Sequence, residues 1–296
     1  MRFLRFIVIL AILGAAAGWY LSAPQPLAAS DIPERDGDAE HGELVFWAAG
    51  CASCHAAEDA EGDARLIMSG GRAFPSDFGT FYAPNISMDP DHGIGGWSEA
   101  EFLSAVMNGV SPEGQHYYPA FPYATYARAG MTDLQDLWAF MQTLPADATP
   151  SRDHDVGFPF SIRRSLGGWK LLFASDDWVM QGDDLPPEVM RGRYLVESLG
   201  HCGECHTPRN ALGGLDYANW LAGAPNPSGE GRIPNITPAA LTWSASDIAN
   251  YLRDGFTPEF DSAGGEMAEV ILNMAHLPDA DRAAIAAYLQ ALPALE

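Results

Sequence analysis

The sequence predicts a mainly α-helical chain, built as two copies of one domain in tandem behind an apolar N-terminal helix. Three observations carry this. Cys51-Ala52-Ser53-Cys54-His55 and Cys202-Gly203-Glu204-Cys205-His206 are two C-x-x-C-H motifs that together use all 4 cysteines. The same landmarks follow each motif in the same order: Pro84-Asn85-Ile86-Ser87 and Pro234-Asn235-Ile236-Thr237, then Trp97-Ser98 and Trp243-Ser244, then a closing Leu144-Pro145 or Leu292-Pro293. His55 to Asn85 is 30 residues and His206 to Asn235 is 29, while Trp97 to Gly109 and Trp243 to Gly255 are both 12. Matching order and spacing indicate a duplication. Apolar residues recur at helical spacing around these landmarks, and no strand signal of comparable quality accompanies them.

Residues 1–30 form the first element. Arg2 and Arg5 precede an apolar run from Phe6 to Leu21, closed by Pro24 and Pro26. The basic flank stays inside and the remainder is exported. Ala28-Ala29-Ser30 offers a signal-cleavage site, whereas Trp19-Tyr20 suits a membrane interface and favours an uncleaved anchor.

The first repeat, 38–146, begins with a helical segment from Gly42 to Ala49 ahead of its motif. Ser98 then caps a helix that buries Phe102, Ala105 and Val106 and stops at Asn108-Gly109. A closing helix spans Thr132 to Thr143. The segment 147–186 carries Phe158-Pro159-Phe160 and Trp169-Lys170-Leu171-Leu172-Phe173, too apolar for a free tether, so it is expected to pack on the repeats and fix their orientation. The second repeat, 187–296, has the corresponding helices at Arg191 to Leu199, from Ser244 or Ser246 to Gly255, and from Pro278 to Ala291.

The C-x-x-C-H spacing is that of covalent haem. Two thiols add to the vinyl groups of one haem as thioethers, and the histidine that follows binds the iron. Zinc sites, disulfides and thioredoxin-like redox pairs also use paired cysteines, but none requires histidine directly after both pairs. Cys51, Cys54, His55, Cys202, Cys205 and His206 are therefore assigned to two covalently bound haem c, with His55 and His206 on the irons.

Methionine is the sixth ligand expected of an electron carrier, since a thioether raises the potential and a filled position shuts out oxygen and peroxide. Met267 is the better candidate in the second repeat, with Met274 as competitor. In the first repeat the corresponding position holds Phe121. Met131, aligned with Leu277, is expected to take over as ligand while Phe121 fills the vacated space; a differently ligated or open iron is the competing reading. Met107 and Met141 read as packing. His92, His116, His154 and His276 read as solvated, with His116 an alternative sixth ligand, and His201 is too constrained to reach a distal face. Arg72, Arg209 and Arg232 are candidates for pairing with haem propionates. Asn85 and Asn235 match the glycosylation pattern, but their repetition ties them to the duplicated domain.

The net charge of −23, with 39 acidic residues against 16 basic, argues against a nucleic-acid partner and fits a basic docking face on a redox protein.

Taken together, both motifs, Pro-Asn-Ile-Ser/Thr, Gly95-Gly96-Trp97-Ser98, Tyr118-Pro119-Ala120-Phe121-Pro122-Tyr123, Met267-Ala268-Glu269-Val270 and the closing Leu-Pro resemble the diheme c-type cytochromes related to the cytochrome subunits of periplasmic alcohol, aldehyde and gluconate dehydrogenases. The resemblance implies two tandem cytochrome c-like domains passing electrons from a dehydrogenase to a quinone, another cytochrome or a terminal oxidase. It implies a periplasmic location, anchored to the inner membrane, and no substrate chemistry of the chain's own. Many relatives carry three haem motifs and methionine where Phe121 stands. In this fold a proline after the haem histidine commonly offers its carbonyl to the imidazole; Pro208 fits, and the first repeat has no equivalent. The competing functions are a diheme enzyme of peroxidase or thiosulfate dehydrogenase type, with an open first haem, and a haem-copper oxidase cytochrome subunit.

Overall fold

A computed structural model describes residues 2–182, 184–227 and 231–295. Helix α1 (Arg2–Leu21) buries none of its residues against the rest of the chain. The first repeat then contains α2 (Ala39–Ala48), the motif helix α3 (Cys51–His55), strands β1 (Ala73–Ser76) and β2 (Gly79–Tyr82), and helices α4 (Glu99–Asn108), α5 (Tyr123–Tyr126) and α6 (Met131–Met141). Helix α7 (Ser165–Phe173) lies between the repeats. The second repeat contains α8 (Pro187–Tyr194), a π turn over Leu195–Leu199, α9 (Gly203–His206), strands β3 (Ala224–Pro225) and β4 (Arg232–Ile233), and helices α10 (Ala245–Asp254), α11 (Glu266–Met274) and α12 (Asp279–Ala291).

The helix ends follow local chemistry. Ser98 and Glu101 form a capping box at the start of α4, and Ser244 and Asp247 form its counterpart at α10. Both helices stop at a left-handed glycine, Gly109 at φ 57° and Gly255 at φ 77°. The short antiparallel pairs β1–β2 and β3–β4 were not legible beforehand; two to four residues per strand carry no alternation to read.

Each repeat is closed by crossing its first and last helices, and glycine sets the distance. A Cβ on Gly42 of α2 would lie 1.9 Å from the carbonyl oxygen of Asp136 in α6, and one on Gly192 of α8 would lie 2.0 Å from that of Ala284 in α12. No residue but glycine permits so close a backbone approach. Phe46, Leu134 and Met141 in the first repeat and Leu195, Ala286 and Tyr288 in the second are fully buried around these crossings, in one continuous apolar cluster.

Residues 22–38 lie along the first repeat as a strap. His116 Nε2 donates to the Ser22 carbonyl (3.0 Å), Asn108 Nδ2 to that of Gln25 (2.9 Å), and Gln135 Nε2 to that of Pro33 (2.9 Å). Leu27 N donates to Ser104 Oγ (2.7 Å), and the buried Asp136 carboxylate receives Arg35, Asp38 N and His41 Nδ1. The segment between the repeats packs on both, as its apolar content predicts. Lys170 Nζ donates to the Asn108 and Gly109 carbonyls, while Trp169 Nε1 donates to that of Leu212.

Candidate functional site

The two motif histidines are held identically. His55 Nδ1 donates to the Pro84 carbonyl at 2.8 Å, and His206 Nδ1 to the Pro234 carbonyl at 2.8 Å. That bond fixes the tautomer and leaves the Nε2 lone pair for a metal. Among the described residues nothing hydrogen-bonds either Nε2. Burial keeps both imidazoles below their ordinary pKa, against a smaller upward pull from the proline carbonyls, so both are neutral at pH 7, the form that can bind a metal.

This corrects the expectation for Pro208. Its carbonyl accepts from Asp216 N (2.8 Å) instead. The histidine partner comes from the Pro-Asn-Ile-Ser/Thr motif in both repeats, so the inequality inferred from Pro208 disappears. The rest of that motif also has a job. Asn85 Nδ2 donates to the Asp147 and Thr149 carbonyls and Ser87 Oγ to that of Asp147; Asn235 Nδ2 and Thr237 Oγ1 both donate to the Leu295 carbonyl. The motif thus clamps the chain leaving each closing helix and aims its proline carbonyl at the histidine. Asn85 is buried, in keeping with a structural role over glycosylation.

The donor set fits covalent haem better than its rivals. All four cysteines are unpaired, and burial pushes the Cys51 and Cys202 thiols up to about 12 and those of Cys54 and Cys205 up to about 11. A thioredoxin-like nucleophile needs the opposite shift. Nor do motif residues converge on a tetrahedral zinc site: among the described residues the only three potential ligands within 4.8 Å of one another are His41, Asp133 and Asp136.

The methionines divide by position. Met267 sits, half-buried, in the first turn of α11 and not in a loop, on one stripe with Val270, Ile271 and Met274. Met274 is buried in the core cluster. Backbone bonds set the register just ahead of Phe121: Tyr117 N donates to the Gly109 carbonyl as Ala263 N does to that of Gly255, both pairs 146 positions apart, the offset at which Phe121 faces Met267. Beyond this point the register moves to 148. Leu134 N bonds the Gly130 carbonyl as Arg282 N bonds that of Pro278, so the counterpart of Met131 is Asp279, not Leu277. Met131 is half-buried and opens α6, with Gly130 N donating to Tyr194 OH of α8.

Other expectations shift as well. Arg72 donates to the Ser53 carbonyl and Glu266, and Arg209 to Gly213 and Glu204, so both guanidiniums bind protein; Arg232 lies exposed in β4. His116 is buried, not solvated, and its Nε2 is committed to Ser22. His276 stacks on Trp47 at 3.8 Å, His154 Nδ1 accepts from Tyr82 N, and His201 Nε2 bonds the Ala49 carbonyl at 3.2 Å.

Sequence reasoning missed how the repeats interlock. The residue just before the second cysteine of each motif reaches the other repeat. Ser53 Oγ accepts from Asn273 Nδ2 (2.6 Å) of α11, and Glu204 Oε1 accepts from Thr125 Oγ1 (2.5 Å) of α5. Arg65 strengthens the first contact by donating to Glu269 (2.8 Å) and Asn273 (3.0 Å). Helix α11 therefore offers Glu266, Glu269 and Asn273 to the first repeat, while Met267, Val270 and Met274 pack in the apolar cluster. Cys205 is close enough across the interface to contribute to the rise of Cys54. A buried carboxylate, Glu197 in the π turn, holds Val179 N, Met180 N and Tyr288 OH, fastening the intervening segment beside the second motif.

Comparison with known proteins agrees with this architecture. The cytochrome c family model matches residues 39–145. A diheme cytochrome c-type protein of Cereibacter sphaeroides is 58% identical, covering 97% of this chain and 97% of its own length. The fructose dehydrogenase cytochrome subunit of Gluconobacter japonicus is 39% identical over 86% of this chain. The cytochrome c subunit of the quinone alcohol dehydrogenase of Gluconacetobacter polyoxogenes is 35% identical over 94% of it. This chain spans about half of the fructose dehydrogenase subunit (52%) and 61% of the alcohol dehydrogenase subunit.

Proposed function

This chain belongs to the diheme c-type cytochromes and carries two covalently bound haem c groups, and on that premise we propose that it relays electrons from a periplasmic dehydrogenase to a quinone, a cytochrome or a terminal oxidase. Cys51 and Cys54 hold one haem and Cys202 and Cys205 the other, with His55 and His206 as iron ligands. Met267 is the sixth ligand in the second repeat and Met131 in the first. The haems supply the one-electron iron couple. The chain orients the imidazoles, excludes water and holds the two attachment turns against each other.

The observation that carries this reading is the matched pair of histidines, each bonded through Nδ1 to a proline carbonyl at 2.8 Å, with Nε2 bonded to none of the described residues. The interlocking of each motif with the other repeat supports transfer between the haems. The relatives serve dehydrogenases by name, which puts an organic-substrate dehydrogenase forward as donor. Retention of α1 as an inner-membrane anchor is supported by the strap, because cleavage near Ala29 would strip the partners from His116, Asn108 and Ser104.

The reduced protein mixed with carbon monoxide or peroxide is expected to keep its spectrum. Phe121 at the place of Met267 favours one second reading, an enzyme whose first iron is open; carbon monoxide binding at a single haem would select it. Met131→Leu is expected to abolish the ferric sulfur-to-iron charge-transfer absorption of the first haem, and an unchanged band would remove Met131 from the site.

A further inference from the structure

We propose that the segment between the two repeats is a second membrane contact, in which Ile162 and helix α7 rest on the same lipid surface that α1 enters. The inference rests on the reading of α1 as a retained anchor. Its ground is an apolar patch gathered where α1 leaves the domain. Leu171 and Leu172 are 61% and 70% exposed on the outer side of α7, and Phe158 and Ile162 just before it are 84% and 48% exposed. Exposed large apolar side chains concentrated in one stretch, rather than scattered singly, mark an interaction surface.

Printed contacts tie this patch to the end of α1. Arg164 donates to the Trp19 carbonyl and its guanidinium lies 4.3 Å from the centre of the Trp19 ring. Gly167 packs so closely on Ser22 that a Cβ would lie 2.0 Å from the Ser22 carbonyl oxygen. The junction holds α7 beside the last turn of α1, where Trp19 and Tyr20 supply the aromatic pair of a membrane interface. A nine-residue helix cannot span a bilayer, so it can only lie along one.

The place of the patch and its lack of acid identify the occupant as lipid. In a chain with 39 acidic residues, none occurs from Val156 to Ser175. The cations of that stretch are turned onto the protein, Arg163 to the His116 carbonyl, Arg164 to Trp19 and Lys170 to the Asn108 and Gly109 carbonyls. An apolar strip that carries no acid and adjoins α1 suits the acyl boundary of a bilayer, where the rest of this acidic surface does not. It also keeps the acidic remainder of the surface away from the bilayer, free to meet a soluble or membrane-bound redox partner.

The test uses the full holoprotein in vesicles of phosphatidylcholine and phosphatidylglycerol. With all four native cysteines in thioethers, Leu172→Cys introduces the sole free thiol for a nitroxide label. Docking is expected to make the label lose its collisions with a water-soluble nickel chelate while gaining them with oxygen, as in a lipid environment. A label still open to the chelate on protein that floats with the vesicles overturns the docking, leaves the anchor standing, and assigns the patch to a protein partner. Protein that fails to float and begins after Ala28 by mass overturns anchor and docking together. The variant Leu171→Asp, labelled at the same cysteine, is expected to restore access to the chelate; no change on that substitution overturns the assignment to α7.

Discussion

Arg65 is the residue through which the two repeats are predicted to lose most when a single side chain is changed. The residue is 6% exposed, and its guanidinium bonds Glu269 at 2.8 Å and Asn273 at 3.0 Å, and Asn273 in turn bonds Ser53 between the cysteines of the first motif. Breaking a fully buried pair from one side costs about 3–5 kcal/mol, because the remaining charge is stranded. The Glu269 side chain is 22% exposed and recovers part of its hydration, so Arg65→Met is expected to cost about 2–3 kcal/mol. Glu269→Leu alone leaves a buried guanidinium and should cost a similar amount. The double variant removes both charges and their desolvation together, so it should lie within about 1 kcal/mol of the parent. The expected coupling is then at least about 3 kcal/mol in a double-mutant cycle, read from urea unfolding of the holoprotein by haem absorbance. The single variants should also weaken the sulfur-to-iron band of the second haem, since α11 carries both Glu269 and Met267. A coupling below about 0.5 kcal/mol, the size of an exposed pair, would refute the interlock.

Three further outcomes follow from other parts of the molecule. Gly42→Ala and Gly192→Ala each push a Cβ to about 2 Å from a carbonyl of the crossing helix; each should cost over about 3 kcal/mol, measured by urea unfolding, and an effect under about 1 kcal/mol would show that the helices simply shift apart. Asn85→Ala removes a buried side chain that donates to the Asp147 and Thr149 carbonyls and should cost about 1–2 kcal/mol, with the imidazole of His55 losing orientation, visible as a lowered potential or broadened resonance of the first haem. His116 is held below its ordinary 6.5 by burial, opposed by its bond to Ser22 and reinforced by Lys170 and Arg164. Its folded pKa is depressed, so its contribution to strap docking is full above pH 6.5 and is lost as pH falls below it. Proteolysis of residues 22–36 should accelerate below that pH, and His116→Gln should flatten the dependence.

What the sequence made legible was local. The capping boxes at Ser98 and Ser244, the left-handed stops at Gly109 and Gly255, and the motif turns all depend on neighbours within a few positions, and each formed where the residues placed it. The interlock was illegible for the opposite reason: Ser53 and Asn273 are 220 positions apart, and neither residue type announces a partner. Pro208 misled because proximity in sequence stood in for proximity to the imidazole. The carbonyl that reaches the histidine comes from 28 or 29 positions away, across the fold of the loop. Glu197 could have been suspected from its place in an apolar run before the second motif, but the backbone amides that hold it, Val179 and Met180, lie in the preceding segment.

The inequality of the two repeats survives, but its physical origin moves. It does not lie at the histidines, which are held alike. It lies in the distal helices, where two residues separate the registers: α5 is a single turn of four residues and α11 has nine. A helix of nine residues can present Met267 to the apolar cluster and three polar side chains to its neighbour at once. One turn cannot do both, and α5 uses Thr125 for the Glu204 contact while Phe121 stands ahead of it, in ring contact with Tyr117, Tyr123 and Tyr126. Pro119 and Pro122 keep the residues ahead of α5 out of a helix, and the aromatic cluster packs there instead. On this account Phe121 goes with the shorter helix, and the proposal that Met131, at the start of α6, supplies the sixth ligand of the first repeat stands or falls with the Met131→Leu spectrum.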